Sequence, residues 1–142
     1  MLIVKSNKSF SFFLIMCLMI SYYGCVKKEV VNIYESEEYK TLNQKNLNSG
    51  EAIWAVACFR CHMYGTNGAV LLQEKKYWDA AASKGIDKLF ESVWEGKEGE
   101  HGIMPAKGFC NLCSEEEIKN SVFYIFHLAK KVQAANKSNI SS

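Results

Sequence analysis

Strand patterning is nearly missing from these 142 residues: no segment alternates apolar and polar residues for long, which excludes an extended sheet. Excess charge is missing too. The formal net charge is +2, but Lys5 and Lys8 belong to the first segment, and beyond Cys25 fifteen Lys/Arg face fifteen Asp/Glu. With no basic stripe, nucleic-acid binding has no electrostatic footprint. Proline occurs once, as Pro105. No apolar run is clearly long enough to span a bilayer as a helix: the longest, "SFSFFLIMCLMISYYG", falls slightly short of the ~17–25 residues required.

What is present begins with that run. Preceded by "MLIVKSNK", it has the layout of a secretory signal, positive charge before a short apolar core. Its end, "SYYGC", resembles a bacterial lipoprotein cleavage site through Gly24 and Cys25, although Tyr22 and Tyr23 depart from the usual residues. Three outcomes fit, in this order: lipidation at Cys25, an uncleaved helical anchor, and release as a soluble form. All three place the remainder outside the cytoplasm, because the lysines stay inside. Residues 1–25 are therefore assigned as signal or membrane anchor, and the expected location is the periplasm, tethered to the inner membrane.

Residues 26–48, polar and without periodicity, read as a linker that would reach roughly 75 Å if extended. Residues 49–133 form the expected domain, with 134–142 as a disordered tail. The first helix is expected to open at Asn48 or Ser49, with Glu51 in its first turn. A short turn of helix follows over Trp78–Ser83. In "IDKLFESVWEG", Ile86, Leu89, Phe90, Val93 and Trp94 repeat with helical spacing and Gly96 stops the element. Ser114 and Glu117 form a capping box ahead of a long helix to about Val132, whose apolar face carries Ile118, Val122, Ile125, Phe126 and Ala129. The fold class is all-α, with long loops at 63–77 and 97–113. A core of fewer than ninety residues is thin, and such domains are often held by a disulfide, a metal or a cofactor.

Six cysteines sharpen that expectation. Cys17 and Cys25 lie in the leader, leaving two C-x-x-C pairs, Cys58/Cys61 and Cys110/Cys113. Together they could hold zinc, but 48 residues and two helices separate the pairs, and zinc thiolates suit an exported protein poorly. Thiol–disulfide exchange is a second possibility for Cys110 and Cys113, which precede a helix, although the strand–helix–strand setting of the usual oxidoreductase is missing. The third is covalent haem: in "CFRCH" two thiols spaced for the vinyl groups are followed at once by His62, which the turn carries under the porphyrin as an iron ligand. Only the first pair qualifies, since Ser114 follows Cys113. One haem c, attached at Cys58 and Cys61, would fill the small core. "GIMPAKG" supplies a sixth ligand in Met104, whose backbone Pro105 restrains to extended conformations.

Residues 50 to about 130 resemble class I c-type cytochromes, the bacterial cytochrome c5 group, in "GEAIWAVACFRCH", "NGAVLL", Trp78, "GIDKLFESVWEGK" and "MPAKG" running into "CNLCSEEEIKNSVFYI". The resemblance implies about four helices around one haem c, Gly50 and Trp54 packed on Tyr124, and a disulfide between Cys110 and Cys113. Two departures stand out. The family usually has proline where Val70 stands, leaving the partner of the haem histidine open, and "EGEH" (residues 98–101) lengthens the connection before Met104. His101 is expected in solvent, with replacement of Met104 as a minority alternative. With His62 and Met104 on both axial sites, the iron has no open position, so the expected role is one-electron transfer rather than catalysis. Expected partners are a quinol-oxidising complex upstream and a terminal oxidase or reductase downstream. Arg60, Lys84, Lys88, Lys97 and Lys107 are candidates to border the haem edge, and Trp78 to bond a propionate or pack in the core. Rival readings are a haem peroxidase or gas sensor with a labile sixth ligand, and a zinc-binding module.

Overall fold

A computed structural model describes residues 29–100 and 102–140. The leader with Cys17 and Cys25, and His101, lie outside the described residues. Among those described, no helix is long and apolar enough to cross a membrane.

The first departure from the sequence reading comes at once. The expected linker is folded from Ile33 onward: a 3-10 turn, Ile33–Glu35, is followed by α1, Glu37–Lys40. Asn32 and Ser36 cap these turns, their side chains accepting from the N–H groups of Tyr34 and Tyr39. Ile33 is fully buried, and Tyr34, Tyr39 and Leu42 pack on the main core. The apolar side chains offset the entropy of ordering an otherwise polar strap. α2, Gln44–Ile53, also starts earlier than expected. Asn43, not Asn48 or Ser49, is its cap, accepting from the Asn46 N–H at 3.0 Å. Asn48 lies inside the helix, where its side chain accepts from Gln44 at 2.7 Å.

The helix continues past Ile53 with a widened, π-helical turn at Trp54–Cys58, then closes as α3, Phe59–His62. After the loop come α4, Lys75–Ala82, and α5, Gly85–Trp94. A two-residue antiparallel ladder, β1 (Lys97–Glu98) with β2 (Ile103–Met104), is the only strand pairing among the described residues. α6 spans Glu115–Ile140 and begins with the expected capping box: Glu117 accepts from the Ser114 N–H at 2.9 Å, and the Glu117 N–H donates back to Ser114 Oγ. It overruns the expected tail at 134, tied where Gln133 donates to the Leu72 carbonyl at 3.0 Å and continued by good helix formers such as Ala134 and Ala135.

α2 crosses α6 at Gly50. A Cβ there would lie 2.3 Å from the Asn120 carbonyl oxygen and 2.7 Å from Tyr124 Cβ, so only glycine lets the backbones approach this closely. One turn on, Trp54 and Tyr124 have ring centroids 6.4 Å apart. The strap packs on the same stretch of α6, with Tyr34 edge-on to Phe126 at 5.8 Å and Tyr39 against Phe123. The result is the expected all-α domain, with α2, α4, α5 and the strap gathered on α6.

Candidate haem-binding site

Cys58, Cys61 and His62 occupy one side of a cleft between α3 and α5. Two adjoining open lobes, of about 700 and 1300 Å³, share Cys58, His62, Tyr77, Lys97 and Met104 in their walls. The inner wall is apolar, formed by Trp78, Leu89, Val93, Val122, Ile125 and Phe126. The widened turn at Trp54–Cys58, closed by the Phe59 N–H on the Trp54 carbonyl, delivers Cys58 into this space. Both thiols are free.

His62 is oriented by the chain that follows it. Its Nδ1–H donates to the Val70 carbonyl at 2.9 Å, which leaves Nε2 available to a metal. The partner left open by the absence of proline is thus a backbone oxygen, which any residue at 70 provides. The loop between is braced: the Gly65 N–H donates to the Cys61 carbonyl at 2.8 Å, and Thr66 Oγ1 to the Arg60 carbonyl at 3.1 Å. Trp78 packs 6.0 Å from the imidazole, centroid to centroid. Its indole N–H donates to the Leu71 carbonyl at 2.8 Å, and the buried ring is part of the core.

Met104 enters the same cleft from β2. Its backbone pairs with Lys97 and is followed by extended Pro105. Gly96, at φ +83°, lies so close that an added Cβ would be 2.8 Å from both the Met104 oxygen and the Ala106 nitrogen. Lys107 sits 3.6 Å over the Trp94 ring and pins the following turn to α5.

The electrostatics oppose free thiolate chemistry at Cys58 and favour a neutral imidazole at His62. Burial pushes the Cys58 thiol up to about 11, with Cys61 adding to the effect, so the free thiol stays protonated and a poor nucleophile. Burial lowers the His62 pKa against the opposing Val70 hydrogen bond, which favours the neutral, ligating imidazole. Cys110 and Cys113 are bonded to each other, so the four cysteines do not converge as zinc would need. Among the described residues, no group of three or more His, Cys, Asp or Glu could hold a metal ion. Two free thiols, an imidazole with one nitrogen free, a thioether and an apolar wall fit haem c.

Fold and site together define a c-type cytochrome. Residues 45–125, more than half the chain, match the family model described as cytochrome c oxidase, cbb3-type, subunit III, and the chain belongs to that family of haem c proteins. It is also similar to cytochrome c-555 of Chlorobaculum thiosulfatiphilum, 29% identical over 82 residues that cover 58% of this chain and 95% of the relative. Cytochrome c-555 of Chlorobaculum tepidum is likewise 29% identical over 82 residues, covering 58% and 76%. That of Prosthecochloris aestuarii is 26% identical over 88 residues, covering 59% and 89%. The chain carries one covalently bound haem c.

Of the cationic candidates, Lys84 and Lys97 line the cleft. Arg60 is exposed, Lys88 pairs with Glu91, and Lys107 is held over Trp94. His127, half-buried on α6, lies outside the cleft walls, its pKa lowered by burial and by Lys131 and Lys130. The sequence reading missed Leu72, Phe123 and the Val70 oxygen as supports. None carries a local signal, because each acts through packing or backbone.

Proposed function

We propose that the protein is a monohaem electron carrier in which Cys58 and Cys61 would hold the haem by thioethers and His62 and Met104 would ligate its iron. The observation that carries this reading is the Nδ1–H bond from His62 to the Val70 oxygen, which presents Nε2 to a cleft that Met104 also lines. Haem c supplies a one-electron couple at its iron. The chain's own residues do the rest. Trp78, Phe126 and Ile125 exclude water from the inner wall, and Met104 sulfur together with His62 imidazole on the iron would raise the reduction potential. Filling both axial positions leaves no site for a substrate, so the protein passes electrons rather than catalysing a reaction.

The mouth of the cleft fits a redox partner. Ile103 and Phe109, 67% and 76% exposed, border the lobe that holds Cys58 and Cys61, and Lys97 adds a cation beside them. An apolar rim of this kind suits a transient complex that must form and release quickly. The partners we propose are membrane or periplasmic redox proteins, a quinol-oxidising complex and a terminal oxidase or reductase, with the leader placing the domain on the periplasmic side of the inner membrane. Because the chain is packed from Ile33, about eight residues separate Cys25 from the domain, a reach of roughly 25 Å instead of 75 Å. An anchored domain would therefore serve partners close to its own attachment point. The disulfide at Cys110–Cys113 is proposed to persist in the exported protein, fixing the turn that feeds α6.

The test is a visible spectrum of the holoprotein, oxidised and reduced, beside Met104→Ala. The expected wild type shows a sharp low-spin α-band and a weak sulfur-to-iron charge-transfer band that Met104→Ala lacks. A haem spectrum identical in the two proteins would remove Met104 from the ligand set, and a colourless matured protein would remove the haem.

A further inference from the structure

β2 reaches beyond its partner strand. The Gly99 N–H donates to the Gly102 carbonyl at 2.8 Å, so residues 97–98 and 102–104 form one stiff unit with Met104 at its end. Gly102 itself lies against the loop that follows His62. A Cβ built on it would fall 1.9 Å from the Asn67 carbonyl oxygen and 2.9 Å from the Asn67 carbonyl carbon. That is backbone against backbone, with no flexible side chain to yield. Asn67 occupies a left-handed conformation, φ 56°, which asparagine tolerates better than other side-chain-bearing residues. Its own segment is short: Thr66 is tied to Arg60, Gly65 to Cys61, and His62 to Val70.

We infer that Gly102 is a positioning residue, joining the strand that carries Met104 to the loop that orients His62 across the mouth of the cleft. The inference rests on the axial-ligand reading above. The two proposed ligands come from segments 42 residues apart, and an iron–sulfur bond is weak enough that the sulfur's placement decides how readily another ligand displaces it. The contact at Gly102 fixes one end of the ladder on the His62 loop, and Gly96 fixes the other against Met104 and Ala106. Met104 is therefore held from both sides before the iron–sulfur bond forms. The lengthened connection that precedes Gly102 contributes Glu98 to this ladder, opposite Ile103.

The experiment compares full-length holoprotein variants by the sulfur charge-transfer band and by titration with imidazole, a probe that competes for the sixth position. Gly102→Ala should keep its haem and α-band, lose most of the sulfur band, and bind imidazole about tenfold or more tightly, because the added methyl forces Met104 and the His62 loop apart. Gly99→Ala, in the same ladder, meets only the Gly102 oxygen at 3.4 Å and should behave as wild type. Should Gly102→Ala fail to mature, Asn67 approaches the contact from the other side. Asn67→Val, unable to hold a left-handed backbone, should give the same loss, while Asn67→Gly should retain the band. If wild type has the band and Gly102→Ala and Asn67→Val both keep wild-type band and imidazole affinity, the positioning role is overturned and Met104 ligation stands. If wild type and Met104→Ala are spectrally identical and bind imidazole equally, the ligand reading fails and the positioning role with it.

Discussion

Val70 orients His62 through its backbone. The oxygen that accepts from His62 Nδ1 belongs to the peptide, so the side chain at 70 is free of that duty even though it packs at the edge of the core. Val70→Ala should therefore leave the α-band and the sulfur band of the holoprotein in place, and a change in axial ligation would show that the side chain, not the carbonyl, orients the imidazole. Gly50 is the opposite case, where the absence of a side chain is the contribution. With the Asn120 oxygen 2.3 Å from where a Cβ would stand, Gly50→Ala must push α2 from α6. Overpacking of this kind costs about 1–3 kcal/mol, and we expect that loss in denaturant unfolding of the holoprotein; a loss under half a kcal/mol would mean the helices slide apart freely. Both residues show what a sequence discloses. Cys58, Cys61, His62 and Met104 stood out in the sequence because covalent and ligand chemistry asks for those residue types, and the structure lines one cleft with them; Gly50 was legible through resemblance. The Val70 carbonyl was not, because a backbone acceptor leaves no mark on residue identity.

At the scale of elements, the strap over residues 33–43 is where sequence and structure part. Its caps were in plain view, as Asn32, Ser36 and Asn43 each accept from an N–H two or three residues on. Its apolar residues, Ile33, Tyr34, Tyr39 and Leu42, follow neither helical nor strand spacing, so only the tertiary partners Phe123 and Phe126 reveal their purpose. The strap precedes the family-matched residues and is thus a feature of this chain beyond the shared domain. Ile33→Ala, at a fully buried position, should cost about 2–5 kcal/mol, measured by thermal or denaturant unfolding of the full chain. An effect within experimental error would return the segment to the status of a linker. Tyr34 gives the strap a pH signature. Burial raises its pKa to about 12, with Tyr39 and Asp79 adding to the shift. A folded-state pKa above the unfolded value of about 10 means that the contribution is complete below pH 10 and is lost between about 10 and 12. Tyr34→Phe should flatten that alkaline decline, followed by helical circular dichroism, although the neighbouring Tyr39, also raised by burial, will leave part of it.

Taken as a whole molecule, the chain divides into a part that packs by itself and a part that needs a partner. The α2–α6 crossing at Gly50 and the strap aromatics on α6 close without help. The other side of the same helix turns Val122, Ile125 and Phe126 toward an open cleft, with Leu89 and Val93 of α5 opposite. Val122, Ile125 and Phe126 are already almost covered by protein while Leu89 and Val93 stay half-buried, so each Å² of apolar surface that a bound group removes from water on this side is worth about 25 cal/mol. Haem c would complete the core from this side, and with the proposed thioethers at Cys58 and Cys61, attachment and packing would be one event. The chain without haem should therefore keep much of its helix content, anchored at the α2–α6 crossing, yet lose fixed packing around α4, α5 and Met104. The Cys58→Ala/Cys61→Ala chain tests this. Far-ultraviolet circular dichroism should remain helical, near-ultraviolet bands of Trp78 and Trp94 should vanish, and an apolar dye should bind the open wall. Sharp two-state unfolding with intact near-ultraviolet bands would mean that the helices form a finished core of their own, and that the haem is a passenger in it rather than part of the fold.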